Sequence, residues 1–358
     1  MPMPKGRDLE STARLLADWL RKRMPQAESV RVEDLRGPKD TGFSSDTLMF
    51  TLHSTERGRA ATRELVVRLA PTSDFCVFPE YDVELQYRMM DALAQTDVPV
   101  PRMLWLEPGH DPLGSPFYVM ERLAGQVPSD SPPYHSGGWL FDLAPEQRRQ
   151  LWNSGLDAMA EVHKLSCDDP RFEFLTRDRR VASPMHAQLD YWTRYLDWGM
   201  DRSRYPLIER GLAWLAAHVP AEEPIGICWG DARISNQIFR DCQVVGVIDW
   251  EMVFVGNPVA DLAWFVTLDR TFSDGIGLAR LPGLPEAAES IARWESRVGR
   301  AADHYAYYEV FAAWRFAVIM ARVFLQMKHY GVLPGDAPVD VVNLSTPGLE
   351  AVLSEVGA

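Results

Sequence analysis

Three polar residues stand out by type and spacing: Asp231, Asn236 and Asp249, all within the segment IGICWGDARISNQIFRDCQVVGVIDWEMVFVGNP, residues 225–258. Each borders a short apolar, strand-like run. If NQIFR and VVGVID are the arms of a hairpin turning at Cys242 and Gln243, Asn236 and Asp249 face each other at its open end. Their Cα atoms then lie ~4.5 to 5.5 Å apart. A carboxylate and an amide oxygen so placed share one hard divalent cation, and Mg²⁺ accepts one or two such protein oxygens while phosphate and water complete its shell. Asp231, five residues before Asn236 on the entering loop, is placed to orient a nucleophile beside that metal. Positioning, charge neutralisation and a proton-accepting carboxylate are what phosphoryl transfer requires. The plainer alternative is that each residue forms a turn or cap. A slip of one residue in register would put Asn236 and Asp249 on opposite faces of the ribbon.

The elements that must position these residues divide in two. Residues 9–24 carry Leu9, Leu15, Leu16, Trp19 and Leu20 at helical spacing, a helix placed on the outside of the first lobe. VRVEDL, TLMFTLH and ELVVRLA then read as three strands of an antiparallel sheet, with GPKDTGFSSD as the loop between the first two. A helix over 80–95 and two further strands, VPVPRMLWLE and SPFYVMERL, complete this part. The Pro, Ser and Gly cluster SDSPPYHSGG marks a boundary. Helices are expected over 145–165, 184–199, 205–218, 258–268, 285–298 and 302–329. The fold class is therefore α+β: a small sheet lobe with one inserted helix, residues 1–124, and a larger helical lobe with one embedded hairpin, residues 125–358.

The 358 residues, with 37 basic and 50 acidic side chains, have a formal charge of −13 and 46% hydrophobic content. This is enough chain for two lobes and one substantial core. The acidic balance predicts no nucleic-acid partner, because phosphates must be neutralised by Lys and Arg. Cys76, Cys167, Cys228 and Cys242 form no CxxC pair, which suits a reducing cytoplasm. No apolar run of ~18 residues and no apolar leader stand out, so neither a membrane partner nor an export address is expected. GxxxxGK[ST], GxGxxG, HExxH and GxSxG are all absent. A monomer or a homodimer fits equally well.

WGDARISN, residues 229–236, resembles the HGDxxxxN catalytic loop of the aminoglycoside phosphotransferase and choline kinase family. IDWE, residues 248–251, resembles its metal-binding segment, and GNPVADLAW, residues 256–264, its GxPxxDLA continuation. The resemblance implies a protein-kinase-like fold, ATP and Mg²⁺, and transfer of the γ-phosphoryl group to a small-molecule hydroxyl. It assigns Asp231 as catalytic base, Asn236 and Asp249 as metal ligands, and Asp261 as a buried brace. GFSSDTLMF resembles GxSNxTY, giving Ser44 and Ser45 either a phosphate-covering role or that of a polar hairpin loop. In ELVVRLAP, Arg68 stands where many members carry Lys, as a bidentate phosphate ligand or a surface arginine. Its helix partner is Gln86 by spacing, with Glu84 and Glu80 the nearest carboxylates. PFYVMERL resembles the strand entering the hinge, where the backbone of Glu121 and Leu123 meets adenine.

Trp229 departs from the motif His. Arg233 stands where protein kinases carry a Lys on the transferred phosphoryl; a salt-bridged arginine is the other reading. His163, in AEVHKL, reads as a packed histidine. Ten of the twelve tryptophans follow residue 120; most are expected in the core, one or two in an acceptor pocket. Polycationic aminoglycosides suit the acidic chain, and an apolar or ring-bearing alcohol suits its tryptophans. Two non-catalytic readings also stand: a nucleotide-binding pseudoenzyme, prompted by Trp229 and Arg68, and an acidic scaffold.

Overall fold

The computed structural model describes residues 7–37, 46–176, 183–222 and 224–358. Ser44 and Ser45 lie outside the described residues. The chain opens with α1 (Leu9–Arg23), whose N-cap Asp8 accepts from the backbone N–H groups of Glu10 and Ser11. Then come β1 (Ala27–Arg36), β2 (Asp46–Glu56), β3 (Arg59–Leu69), α2 (Val83–Leu93), β4 (Met103–Glu107) and β5 (Phe117–Glu121). The five strands form one antiparallel sheet in the order β1-β2-β3-β5-β4.

Strand alternation divides the side chains of this sheet between two cores. Leu65, Val67 and Leu69 of β3, with Phe117 and Val119 of β5, pack with Leu16, Trp19 and Leu20 of α1. Val66 of β3, with Tyr118 and Met120 of β5, points the other way and joins α2 and the helical lobe. Arg68 shares the parity of Val66 and pairs in register with Tyr118, so it faces the cleft between lobes.

The helical lobe comprises α3 (Pro145–His163), α4 (Pro184–Gly199), α5 (Pro206–Ala217), α6 (Val259–Thr271), α7 (Ala287–Val298), α8 (Tyr305–His329) and α9 (Thr346–Glu355). Between α5 and α6 lie β6 (Gly226–Cys228), β7 (Gln237–Arg240), β8 (Gln243–Val247) and β9 (Phe254–Gly256). β6 pairs with β9, bringing the two ends of the segment together, while β7 and β8 form the hairpin. Every helix expected from the sequence is present; α9 was not expected. α8 is long and apolar enough to span a membrane, contrary to the sequence reading, yet 72% of its most apolar window is buried inside the fold.

The hairpin register departs from expectation. The turn is Asp241–Cys242, both at positive φ (52° and 59°), one residue earlier than expected. Arg240 pairs with Gln243 and Phe239 with Val244, but after a bulge Ile238 pairs with Gly246 and Gln237 with Val247. The extra residue in β8 leaves Asn236 opposite Ile248, whose N–H donates to the Asn236 carbonyl at 3.0 Å. Asn236 and Asp249 are therefore not a cross-strand pair.

Candidate active site

The loop joining β6 to β7 is held by a carboxylate from α6. Asp261, fully buried, accepts from the backbone N–H groups of Trp229 (2.5 Å) and Gly230 (2.9 Å). His163 completes the brace: Trp294 Nε1 donates to His163 Nδ1 at 2.8 Å, so Nε2 carries the proton and donates to Asp261 at 3.0 Å. The packed role expected for His163 is the one observed. Gly230 sits at φ +93°, and a Cβ there would lie 1.9 Å from the Met252 carbonyl oxygen, so only glycine fits. Trp229 is fully buried, and its indole N–H lies 3.0 Å and 3.1 Å from the carbonyls of Ile248 and Asp249. It ties the loop of Asp231 to the IDWE segment, a supporting task that burial and one donor suffice to perform.

Asp231 is buried and well partnered. Its Oδ1 accepts from the Trp264 indole N–H at 2.8 Å; its Oδ2 accepts from Asn236 Nδ2 at 2.7 Å and Arg233 Nε at 3.0 Å. A carboxylate offers about four lone-pair positions, so these three donors leave one, on Oδ1. Trp264 has no counterpart in the sequence reading. Its signal was position: it lies three residues after Asp261 on α6, hence on the same helix face. Arg315 of α8 supports the arrangement by donating to the Gly230 carbonyl at 2.8 Å and stacking 4.0 Å over the Trp264 ring. Burial pushes the Arg315 guanidinium down to about 10, so it remains a cation at neutral pH.

Arg233 bridges Asp231 and Asp130. Burial would weaken its charge, but the two carboxylates outweigh it and its pKa is raised. Asp130 belongs to a segment tied to α6 through its neighbours: Tyr134, His135 and Arg280 all converge on Asp269 at 2.5, 3.1 and 2.6 Å.

Asp249 adopts φ +64°, a left-handed conformation rare outside glycine that is often retained where a side chain must be aimed. That local twist, rather than strand pairing, puts Asp249 in the recess that Asp231, Arg233 and Ser235 also line. Its Oδ1 accepts from Arg68 at 2.7 Å, and Glu251 lies 3.4 Å from the same nitrogen. Burial lowers the Arg68 pKa, while Asp249, Tyr118 and Glu251 raise it by more. Arg68 is thus no surface arginine. No α2 carboxylate holds it: Glu84 and Glu80 are exposed, and Gln86, fully buried, accepts instead from the Tyr118 hydroxyl at 3.3 Å. Glu121 forms an ion pair with Arg63 at 3.1 Å. Leu123 packs over Gly246, where a Cβ would lie 2.5 Å from its Cδ1. Among the described residues no cluster of three or more His, Cys, Asp or Glu forms a metal site.

Over nearly its full length the fold matches the crystal structure of a putative aminoglycoside phosphotransferase from Ralstonia eutropha, with TM-score 0.68, 23% identity, and 96% and 98% of the two chains covered. A thermostable aminoglycoside phosphotransferase APH(4)-Ia in complex with ADP and hygromycin B matches at TM-score 0.57 and 13% identity, covering 96% and 99%. These likenesses establish a two-lobed, kinase-like α+β fold. Among curated proteins, mouse acyl-CoA dehydrogenase family member 10 is 28% identical over 280 residues, 74% of this chain and 25% of that protein. Probable acyl-CoA dehydrogenase IBR3 of Arabidopsis thaliana is 28% identical over 263 residues, 68% of this chain and 31% of its own. The matched stretch is thus a quarter to a third of those relatives. The model of the phosphotransferase enzyme family matches residues 42–302, which include β2 to β5, the loop of Asp231, and Asp261 and His163 that brace it, and the chain belongs to that family.

Proposed function

We propose that this chain transfers the γ-phosphoryl group of ATP to a hydroxyl of a small molecule, with Mg²⁺ as cofactor. The observation that carries the reading is the Asp231 carboxylate, oriented by three donors and left with one open position on Oδ1 beside a recess shared with Asp249. A hydroxyl donating to that position would pass its proton to Asp231. Its oxygen would bond to the γ-phosphorus as the bond to the β–γ bridging oxygen breaks, releasing ADP.

The donor atoms suit Mg²⁺. Asn236 commits its NH₂ to Asp231, which leaves its carbonyl Oδ1, and Asp249 supplies a carboxylate. This is the hard, two-oxygen set that Mg²⁺ takes while keeping phosphate and water ligands. Bound there, the ion would neutralise charge on the phosphates. Arg68 would move from Asp249 to the phosphates, and the backbone of Glu121 and Leu123 would face the adenine. Arg233, already fixed by Asp130 and Asp231, would contact the transferred group. Ser44 and Ser45 keep their two readings. The lobe boundary at 124/125, a cytoplasmic location, a monomer or homodimer, and the absence of nucleic-acid and membrane partners complete the proposal.

The bracing of Trp229 favours this reading over a pseudoenzyme, since the residue that departs from the motif still supports the loop. The curated relatives' names describe much longer proteins, and no oxidation chemistry is proposed for this chain. The test is phosphorus NMR of the protein with ATP, Mg²⁺ and a panel of hydroxylated metabolites and antibiotics. The reading expects a new phosphomonoester signal that vanishes with EDTA and in Asp231→Asn. Equal transfer by wild type and Asp231→Asn would defeat it.

A further inference from the structure

Resting on that phosphotransferase reading, we propose that the acceptor is a hydroxyl carried on an unbranched apolar chain, received by a recess of about 370 Å³ that opens beside Asp231 and follows α8. That volume is ordinary for a small-molecule site. Its charged groups are four carboxylates sharing two arginines, Asp130 and Asp231 with Arg233, Asp249 and Glu251 with Arg68. The two helices that wall the remainder contribute only apolar side chains, Trp264 and Leu268 from α6 and Phe316, Ile319, Val323 and Met327 among those from α8. Three- and four-residue steps put the α8 residues on one stripe, and eleven residues of helix extend it about 16 Å. Ile319 and Met327 are only half-buried, so apolar surface remains uncovered along this wall.

An elongated apolar wall suits a chain. Glu121 and Leu123 do not line the recess, so it is distinct from the proposed adenine site. Trp264 joins the two ends of the site: its ring forms wall and its N–H holds Asp231 Oδ1, the oxygen with an open position. A hydroxyl on that oxygen has its chain directed along the α8 stripe.

The test measures kcat/KM for phosphoryl transfer from ATP and Mg²⁺ to primary n-alkanols of increasing length, with hygromycin B and glucose as polar comparisons. Each added methylene should raise kcat/KM by up to about fourfold until the recess is filled. Ile319→Asp should lower transfer to the longer alcohols at least about tenfold with nucleotide affinity unchanged. Met320→Trp, which narrows the recess, should move the optimum to shorter chains. Transfer that is independent of chain length, or faster to hygromycin B or glucose than to any alcohol, overturns this inference and leaves the phosphotransferase reading standing. No Asp231-dependent transfer to any compound overturns both.

Discussion

Two carboxylates meet at the cleft and are held in different ways. Asp231 is fixed wholly from within the helical lobe, by Trp264, Asn236 and Arg233, on a loop that Asp261 and Arg315 brace. The Asp249 side chain accepts from the other lobe, from Arg68 on β3. The first is held without help from the other lobe; the second, in the proposed reading, exchanges its arginine for a cation. A base gains from being immobile before its substrate binds. A metal ligand held by an arginine instead keeps its charge compensated in a buried site until a cation replaces that arginine.

Asn236 is the residue on which the contrast bears most heavily, because it donates to Asp231 and, in the proposed reading, offers the second metal oxygen. Asn236→Ala should lower kcat/KM by about 10³-fold or more, within the range that loss of a general base or of its alignment produces, in steady-state assays. A loss under tenfold would separate Asn236 from one of the two tasks. Trp264→Phe removes from the Asp231 carboxylate one hydrogen bond to a charged group, worth about 1.5 to 3 kcal/mol. It should cut kcat at least about tenfold with the KM for ATP unchanged. A KM effect instead would place Trp264 in nucleotide binding.

Arg68→Met sharpens the other half. It should lower the Mg²⁺ concentration needed for half-maximal rate, since the cation no longer displaces an arginine, while raising the KM for ATP severalfold. An unchanged Mg²⁺ requirement would show that the arginine does not compete with the metal.

The smallest effect concerns the Asp130 support. Burial raises the Asp269 pKa, but His135, Arg280 and Tyr134 outweigh it and hold it below the ordinary carboxylate value. A folded pKa below the unfolded one, about 3.9, means the stabilisation is complete above that pH and is lost as pH falls through the folded pKa. In urea unfolding, wild type should exceed Asp269→Asn in stability near pH 7, and the gap should close below about pH 4. A constant gap would remove the ion pairs as its source.

Much of this was legible in the sequence. The motif segment, the five strands and six large helices follow from periodicity and turn residues, because each buries a regular apolar face. The sequence reading misses the register of Asn236 and Asp249 because the turn falls one residue early, at Asp241–Cys242, and the bulge at Val245 restores only half of the resulting shift; neither has a mark in RDCQVVG, nor has the left-handed Asp249. β6 and β9, three residues each, are too short to show alternation. α9 begins at TPG, which reads as a loop though Pro is well placed in a first helical turn. The Arg68–Asp249 pair joins residues 181 apart, and such a contact exists only once the lobes are packed.

In the proposed reading Asp231 serves the acceptor hydroxyl and Asp249 the metal-bound nucleotide. Equilibrium binding of ATP with and without Mg²⁺, measured alongside transfer, tests it in Asp231→Asn and Asp249→Ala. The account predicts that Asp231→Asn retains Mg²⁺-dependent ATP affinity within about twofold while transfer falls at least about 10²-fold, and that Asp249→Ala loses the Mg²⁺-dependent part of binding itself. Loss of nucleotide binding in Asp231→Asn, or its full retention in Asp249→Ala, would contradict it.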